Sequence, residues 1–165
     1  RSEAIVNNTD LAPTLLAFAG IETPDYMQGR SLLPLVRGET PADWRKTTYY
    51  RYWMNMAHHD NPAHYGLRSK DFKLIFFYGL PLDAPGAVDA ITQPGWELYD
   101  LREDVTETND RSAHEPARLH ELSEMLRTLY REVRDESPVW SPWDFARYES
   151  RRIEWPSYWK PPRRN

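Results

Sequence analysis

His64-Tyr65-Gly66-Leu67-Arg68-Ser69, then Lys70-Asp71, then Phe72-Lys73-Leu74-Ile75-Phe76-Phe77-Tyr78 is the stretch that decides the fold. Each run is rich in aromatic and branched residues, and the charged pair between them suits a tight connection, so the spacing predicts a β-hairpin. Side chains alternate across a strand. Phe72, Leu74, Phe76 and Tyr78 therefore share one face, and Ile75 and Phe77 share the other. With apolar residues on both sides, both faces of this strand are expected to be largely covered.

Working outward, Thr47 to Trp53 carries β-branched and aromatic residues and predicts a first strand. Residues 79–95 hold three Gly and three Pro and read as a loop. Trp96 to Leu101 is a fourth strand, followed by a charged loop from Arg102 to Ser112. Pro116 opens a helix to Arg134, in which Leu119, Leu122, Leu126, Leu129 and Val133 form one apolar stripe. The reading is α+β: a four-stranded antiparallel sheet covered on one face by one long helix. Before it, Asp10 to Gly20 reads as a short helix, with Asp10 or Thr9 as cap, Pro13 in the first turn and Gly20 as the stop. Leu11, Leu15, Leu16, Phe18 and Ala19 cover most of its circumference, so it is expected to be buried. Ser31 to Val36 reads as a further helical turn.

The chain has 165 residues, long enough for a real core, and no Cys. That excludes disulfides, a thiol nucleophile and thiolate-bound metals from these residues. The formal net charge of −4 gives no global basic footprint for nucleic acid. No apolar run of about 18 residues is present to form a membrane-spanning helix. Mean hydropathy is −0.78, so much of the surface is polar. Arg1 is not Met and no signal-peptide pattern follows it, so the expectation is a piece of a longer protein. The segment 137–165 stands apart. It holds four of the seven Trp and five of the fourteen Pro, with six basic against three acidic residues. It reads as an extended tail with one helical patch, pinned by Trp.

Chemistry-bearing motifs are sparse. His58-His59-Asp60 and His64 are residue types that bind metals, but their spacing is not that of two ligands on one helix face, and Asn61-Pro62 interrupts them. A polar loop before a strand is the simpler reading. There is no G-x-S-x-G elbow and no phosphate-cradling glycine loop. Glu103, Asp104 and Glu107 sit in a charged loop without the apolar neighbours that raise a carboxyl pKa. No complete catalytic constellation is present, and no metal ligands are assigned.

Three stretches together resemble the type I, formylglycine-dependent sulfatases of the alkaline-phosphatase-like superfamily. Asn8 to Ile21, followed by Pro24 and Met27 to Pro34, resembles the family's D-x-x-P-T-x-L-x-x-A-G helix. Tyr65 to Ile75 is similar to its G-[IV]-R-[TS]-x-x-[YF]-K-[LY]-I hairpin. Glu97 to Leu101 with Asp104, Glu107 and Asn109 resembles E-L-Y-D-L-x-x-D-P-x-E-x-x-N, with Val105 in place of Pro and Asp110 in place of Leu. Asp104, Glu107 and Asn109 are residue types that hold a loop by side-chain to backbone bonds.

The resemblance implies three regions: 1–45, the end of the α/β sulfatase core; 46–136, the C-terminal antiparallel-sheet subdomain; and 137–165, the tail outside the pattern. It implies the C-terminal part of an enzyme hydrolysing sulfate esters of a carbohydrate. Calcium and the formylglycine nucleophile are expected in the parent enzyme, none in this chain. The implied partners are an upstream sulfatase domain and a sulfated small molecule or glycan, with neither nucleic acid nor membrane, and a periplasmic or secreted setting is consistent with it. The candidate substrate-binding residues are His64 first, then His58, His59, Tyr52 and Arg68. The isolated chain is expected to be inactive. The competing reading is a non-catalytic binding or interaction module derived from a sulfatase C-terminus.

Overall fold

The computed structural model describes residues 2–81 and 85–133. The helical patch and Trp contacts expected in 137–165 lie outside the described residues. Secondary structure runs as a 3₁₀ turn (Asn8–Asp10), α1 (Leu11–Phe18), α2 (Leu33–Val36), β1 (Thr47–Tyr52), β2 (His64–Ser69), β3 (Phe72–Phe77), β4 (Gly95–Asp100) and α3 (Pro116–Glu132). The chain divides into two compact units at the junction of Thr48 and Tyr49.

In the first unit, Asp10 does different work from the expected cap. Its side chain makes no cap bond to α1. It accepts hydrogen bonds from the Asn7 N–H (2.8 Å) and the Arg30 N–H (2.8 Å), and a two-pronged contact from the Arg45 guanidinium at 2.6 and 2.7 Å. Thr14 adds a second tie: its hydroxyl accepts from the Leu32 N–H and donates to the Asp10 carbonyl. The polar tie residues face inward with Pro13, which is why α1 departs from the expected burial. Leu11, Leu15 and Phe18 are exposed, while Pro13 and Thr14 are buried.

In the second unit the sheet order is β1-β2-β3-β4. Hairpin β2–β3 is antiparallel, pairing His64 with Phe77 and Arg68 with Lys73. Its turn is held by the Ser69 hydroxyl, which accepts from the Phe72 and Asp71 N–H groups. β3 pairs with β4, Phe72 opposite Asp100 and Phe77 opposite Gly95. The alternation read from β3 is realised. Phe72, Leu74 and Phe76 join Tyr65, Leu67 and Leu98 in the main core, against which Leu119, Leu122 and Leu126 of α3 are buried. Each such side chain contributes about 1.5–3 kcal/mol through burial. Ile75 forms a smaller cluster with Tyr99 and Leu101 on the opposite face, joined by Tyr50 and Phe77. Among the described residues, no helix is long and apolar enough to cross a membrane.

The loop after β4 is held by carboxylates. Asp104 accepts from the Thr108 and Asn109 N–H groups, as its side-chain type suggests. Asp110, rather than Asn109, ties the loop to the sheet, accepting from the N–H groups of Leu98 and Ser112. Glu107 turns to the sheet and pairs with Lys73 and Arg68.

Candidate functional site

The sheet face turned away from α3 collects the polar and aromatic groups. His64 stands at the first position of β2, half-buried. It lies in an aromatic nest. Tyr52 stacks on its ring at 5.4 Å between centroids, Phe77 lies at 5.1 Å and Tyr50 meets it edge-on at 6.0 Å. The chain delivers these groups by the simplest rule of strands: Tyr50 and Tyr52 are two apart on β1, and Phe77 is His64's cross-strand partner.

The Nδ1 of His64 lies 2.8 Å from the Pro62 carbonyl oxygen. A carbonyl only accepts, so Nδ1 carries the proton and Nε2 is the acceptor nitrogen of the neutral ring. Burial holds the imidazole below its ordinary pKa; the nearby Lys73 charge adds to this and the Pro62 carbonyl opposes it. At neutral pH His64 is therefore an uncharged hydrogen-bond acceptor, suited to a hydroxyl rather than to a sulfate anion. Beside it, the hydroxyl oxygens of Tyr50 and Tyr52 are buried without a hydrogen-bond partner among the described residues. Such orphaned groups cost stability unless something supplies a bond. Burial, followed by the charges of Glu107 and Glu97, also pushes the Tyr50 phenol well above its usual range, so it stays protonated.

His58 and His59 sit in the loop between β1 and β2, both exposed. His59 has φ +56° and Asp60 φ +52°, left-handed values that non-glycine residues seldom adopt. The device that holds this loop is Asn55, which is fully buried. Its side-chain oxygen accepts from the Ala63 N–H at 2.9 Å, and its amide donates to the carbonyls of Val88 and Ala90. Its own backbone carbonyl accepts from the Val88 N–H at 2.8 Å. One residue thus stitches the 53–63 loop to the 85–94 loop.

Arg68 is exposed at the far end of β2, four residues from His64, which is about 13 Å along a strand. It pairs with Glu107 at 3.6 Å, and Glu107 is also bound by Lys73. The structure therefore gathers His64 and Tyr52 with Tyr50 and Phe77, places His58 and His59 on the adjoining loop, and leaves Arg68 in a separate ion cluster. Among the described residues, no three His, Asp or Glu side chains are grouped to hold a metal ion. Three of the residues that shape this face are not singled out by the sequence reading. Tyr50 is findable from Tyr52 by the two-residue period. Phe77 becomes a partner of His64 only through hairpin register. Asn55, between two methionines, carries no local signal of its role.

Comparison with known proteins bears on this arrangement. Residues 1–136 match a family described as N-sulphoglucosamine sulphohydrolase, C-terminal. The chain is 40% identical over 141 residues to an N-acetylglucosamine-6-O-sulfatase of Bacteroides thetaiotaomicron, covering 83% of this chain and 23% of that protein. It is 27% identical over 129 residues to arylsulfatase K of Rattus norvegicus, covering 76% and 21%. Among solved structures it is similar to one bound to its substrate D-glucosamine-2-N,6-O-disulfate, with 40% identity, a TM-score of 0.64, and coverage of 78% of this chain and 24% of that one. The fold is also shared with a phosphonate monoester hydrolase of Agrobacterium radiobacter, at 22% identity and a TM-score of 0.61, covering 83% and 27%. The chain thus spans about a quarter of the length of the relatives it matches.

Proposed function

From the premise that this chain belongs to the N-sulphoglucosamine sulphohydrolase C-terminal family, a C-terminal sulfatase region of the alkaline-phosphatase-like superfamily, we propose that it forms the substrate-orienting part of a carbohydrate sulfatase. The protein carrying it hydrolyses a sulfate ester on a sugar, and the 40%-identical relative's name makes a glucosamine 6-O-sulfate the first substrate to assay. The calcium and formylglycine that the family implies come from residues outside this chain. It has no Cys from which formylglycine could be made. What this chain supplies is orientation. His64 accepts a hydrogen bond from a sugar hydroxyl through Nε2, in the aromatic nest that Tyr50 and Tyr52 build around it. Tyr52, stacked on the imidazole ring, and Phe77, tilted against it, hold it in place. His58, His59 and Arg68 are secondary candidates, Arg68 the least favoured because Glu107 already engages it.

The observation that carries this reading is the committed tautomer of His64 in an aromatic nest with two unsatisfied hydroxyls. Its test is sulfate release from N-acetylglucosamine 6-sulfate by the full-length protein. His64→Ala is expected to raise KM about tenfold, the worth of one well-made hydrogen bond near 1.4 kcal/mol. Unchanged KM and kcat would remove His64 from the site. The 165-residue chain alone is expected to release no sulfate; turnover by it would refute the division of labour, and sugar binding with no turnover in the full-length protein would favour the non-catalytic module.

A further inference from the structure

Next to His64 the same face opens into a cleft of about 660 Å³, within the usual range for small-molecule sites. Apolar groups (Phe77 and Pro62) and hydrogen-bonding ones (His59, Asn61, Gln93 and Glu97) line it together. Phe77 links the two places, touching His64 on one side and lining the cleft on the other. The cleft also has the acids Asp60 and Asp110 in its lining and, among the described residues, neither Lys nor Arg.

Two features make it a built site rather than a gap between loops. The first is the Asn55 stitch, which fixes residues 59–62 and the approach to Gln93 relative to one another through one buried side chain. The second is Glu97. It is half-buried on β4, with the Tyr99 hydroxyl donating to its Oε2 at 2.9 Å. Burial raises its pKa, the Asp110 and Glu107 charges add to that, and the Tyr99 bond and Lys73 oppose it. Asp110, by contrast, is already used by the backbone and side chain of Ser112 and by Leu98.

Resting on the carbohydrate-sulfatase reading, we propose that this cleft binds an unsulfated sugar unit adjoining the sulfated one. A pyranose ring presents apolar C–H surface and a belt of hydroxyls. Phe77 and Pro62 suit the first; Asn61, Gln93 and Glu97 suit the second. A sulfate group would meet Asp60, Glu97 and Asp110 with one imidazole, His59, and among the described residues neither Lys nor Arg to balance them, so charge complementarity disfavours a sulfated unit. The cleft selects for substrates whose neighbouring residue is uncharged.

The test uses the full-length protein and N,N′-diacetylchitobiose, a neutral amino-sugar disaccharide, titrated calorimetrically. Sulfate release from N-acetylglucosamine 6-sulfate is measured on the same preparation. Wild-type protein should bind chitobiose, and Gln93→Ala and Glu97→Ala should each weaken it about tenfold, the cost of one lost hydrogen bond. Gln93 lies in a loop outside the strands, so its variant keeps the test decisive if Glu97→Ala fails to fold. Chitobiose binding that is absent in a preparation releasing sulfate, or equal in wild type and both variants, would overturn the proposal. A preparation that binds chitobiose through Gln93 yet releases no sulfate from any sulfated glucosamine would instead overturn the enzymatic reading and leave the cleft standing.

Discussion

At the scale of single residues, His64 carries a proton-linkage signature whose sign follows from its burial. Its folded pKa is lowered from the ordinary 6.5, so the unfolded chain binds the proton more tightly than the folded one. Stability from this residue is complete above about pH 6.5 and falls as pH drops toward the lowered folded value. We expect the stability of His64→Gln, followed by chemical denaturation from pH 7.5 to pH 5, to decline less steeply than that of wild type. Substrate binding has the same sign, because protonated Nε2 no longer accepts a hydroxyl. Gly66, buried in β2, is a second sensitive position. A Cβ there would stand 2.2 Å from the Leu74 carbonyl oxygen and 2.7 Å from the Tyr50 hydroxyl. Gly66→Ala should therefore cost about 1–3 kcal/mol. Trimming Tyr50 as well should not restore it, because the nearer obstacle is backbone; full rescue in the double variant would contradict the packing described.

At the scale of elements, stability is concentrated in a few ties. Leu126 on α3 is fully buried in the main core, whereas Met125 beside it is 40% exposed. Leu126→Ala should cost about 2–5 kcal/mol and Met125→Ala well under 1 kcal/mol, read as denaturation midpoints. In the first unit the Asp10–Arg45 pair does the corresponding work. Burial alone would raise the Asp10 carboxyl; the Arg45 bond and the N–H groups of Arg30 and Asn7 outweigh it and hold its pKa below 3.8. Its contribution is present above the ordinary carboxylate range and is lost as pH falls through the lowered folded value. Arg45→Met strands that carboxylate, and a loss of about 3 kcal/mol at pH 7 is expected, shrinking in acid as Asp10 protonates. A pH-independent loss would mean that Arg45 acts by packing on Trp44, 5.5 Å from its guanidinium, instead. Asn55→Ala removes three side-chain bonds from two loops at once. It should raise hydrogen exchange across residues 55–63 and 88–90 while leaving β2 and β3 protected.

At the scale of the whole molecule, the chain is about a quarter of the relatives it matches, and its features divide accordingly. The hairpin, the fourth strand and α3 were legible because strands and helices impose periods of 2 and 3.6 on apolar residues, and the β3 and α3 patterns are long and unbroken. The family followed from three motifs in order. Other elements were less legible for physical reasons. An acid before a helix reads locally as a cap, but the strongest partner of Asp10, Arg45, is 35 residues away. Leu11, Leu15 and Phe18 announce burial by their type, yet the described structure leaves them exposed; composition states what a surface prefers, not what covers it.

The candidate site divides along the same line. Sequence alone determined that His64 begins the strand of a hairpin, that Tyr52 and Arg68 lie on strands, and that Cys chemistry is excluded from these residues. Only the tertiary structure decided which of them meet. Hairpin register sets His64 against Phe77 and Arg68 against Lys73. The Pro62 carbonyl selects the imidazole tautomer, and one buried amide at Asn55 joins two loops some thirty residues apart into the wall of a cleft. Local periodicity acts over one or two turns of chain, so it reports which face a residue occupies. Hydrogen-bond partners and charges that tune a group come from distant segments, and no local pattern encodes them.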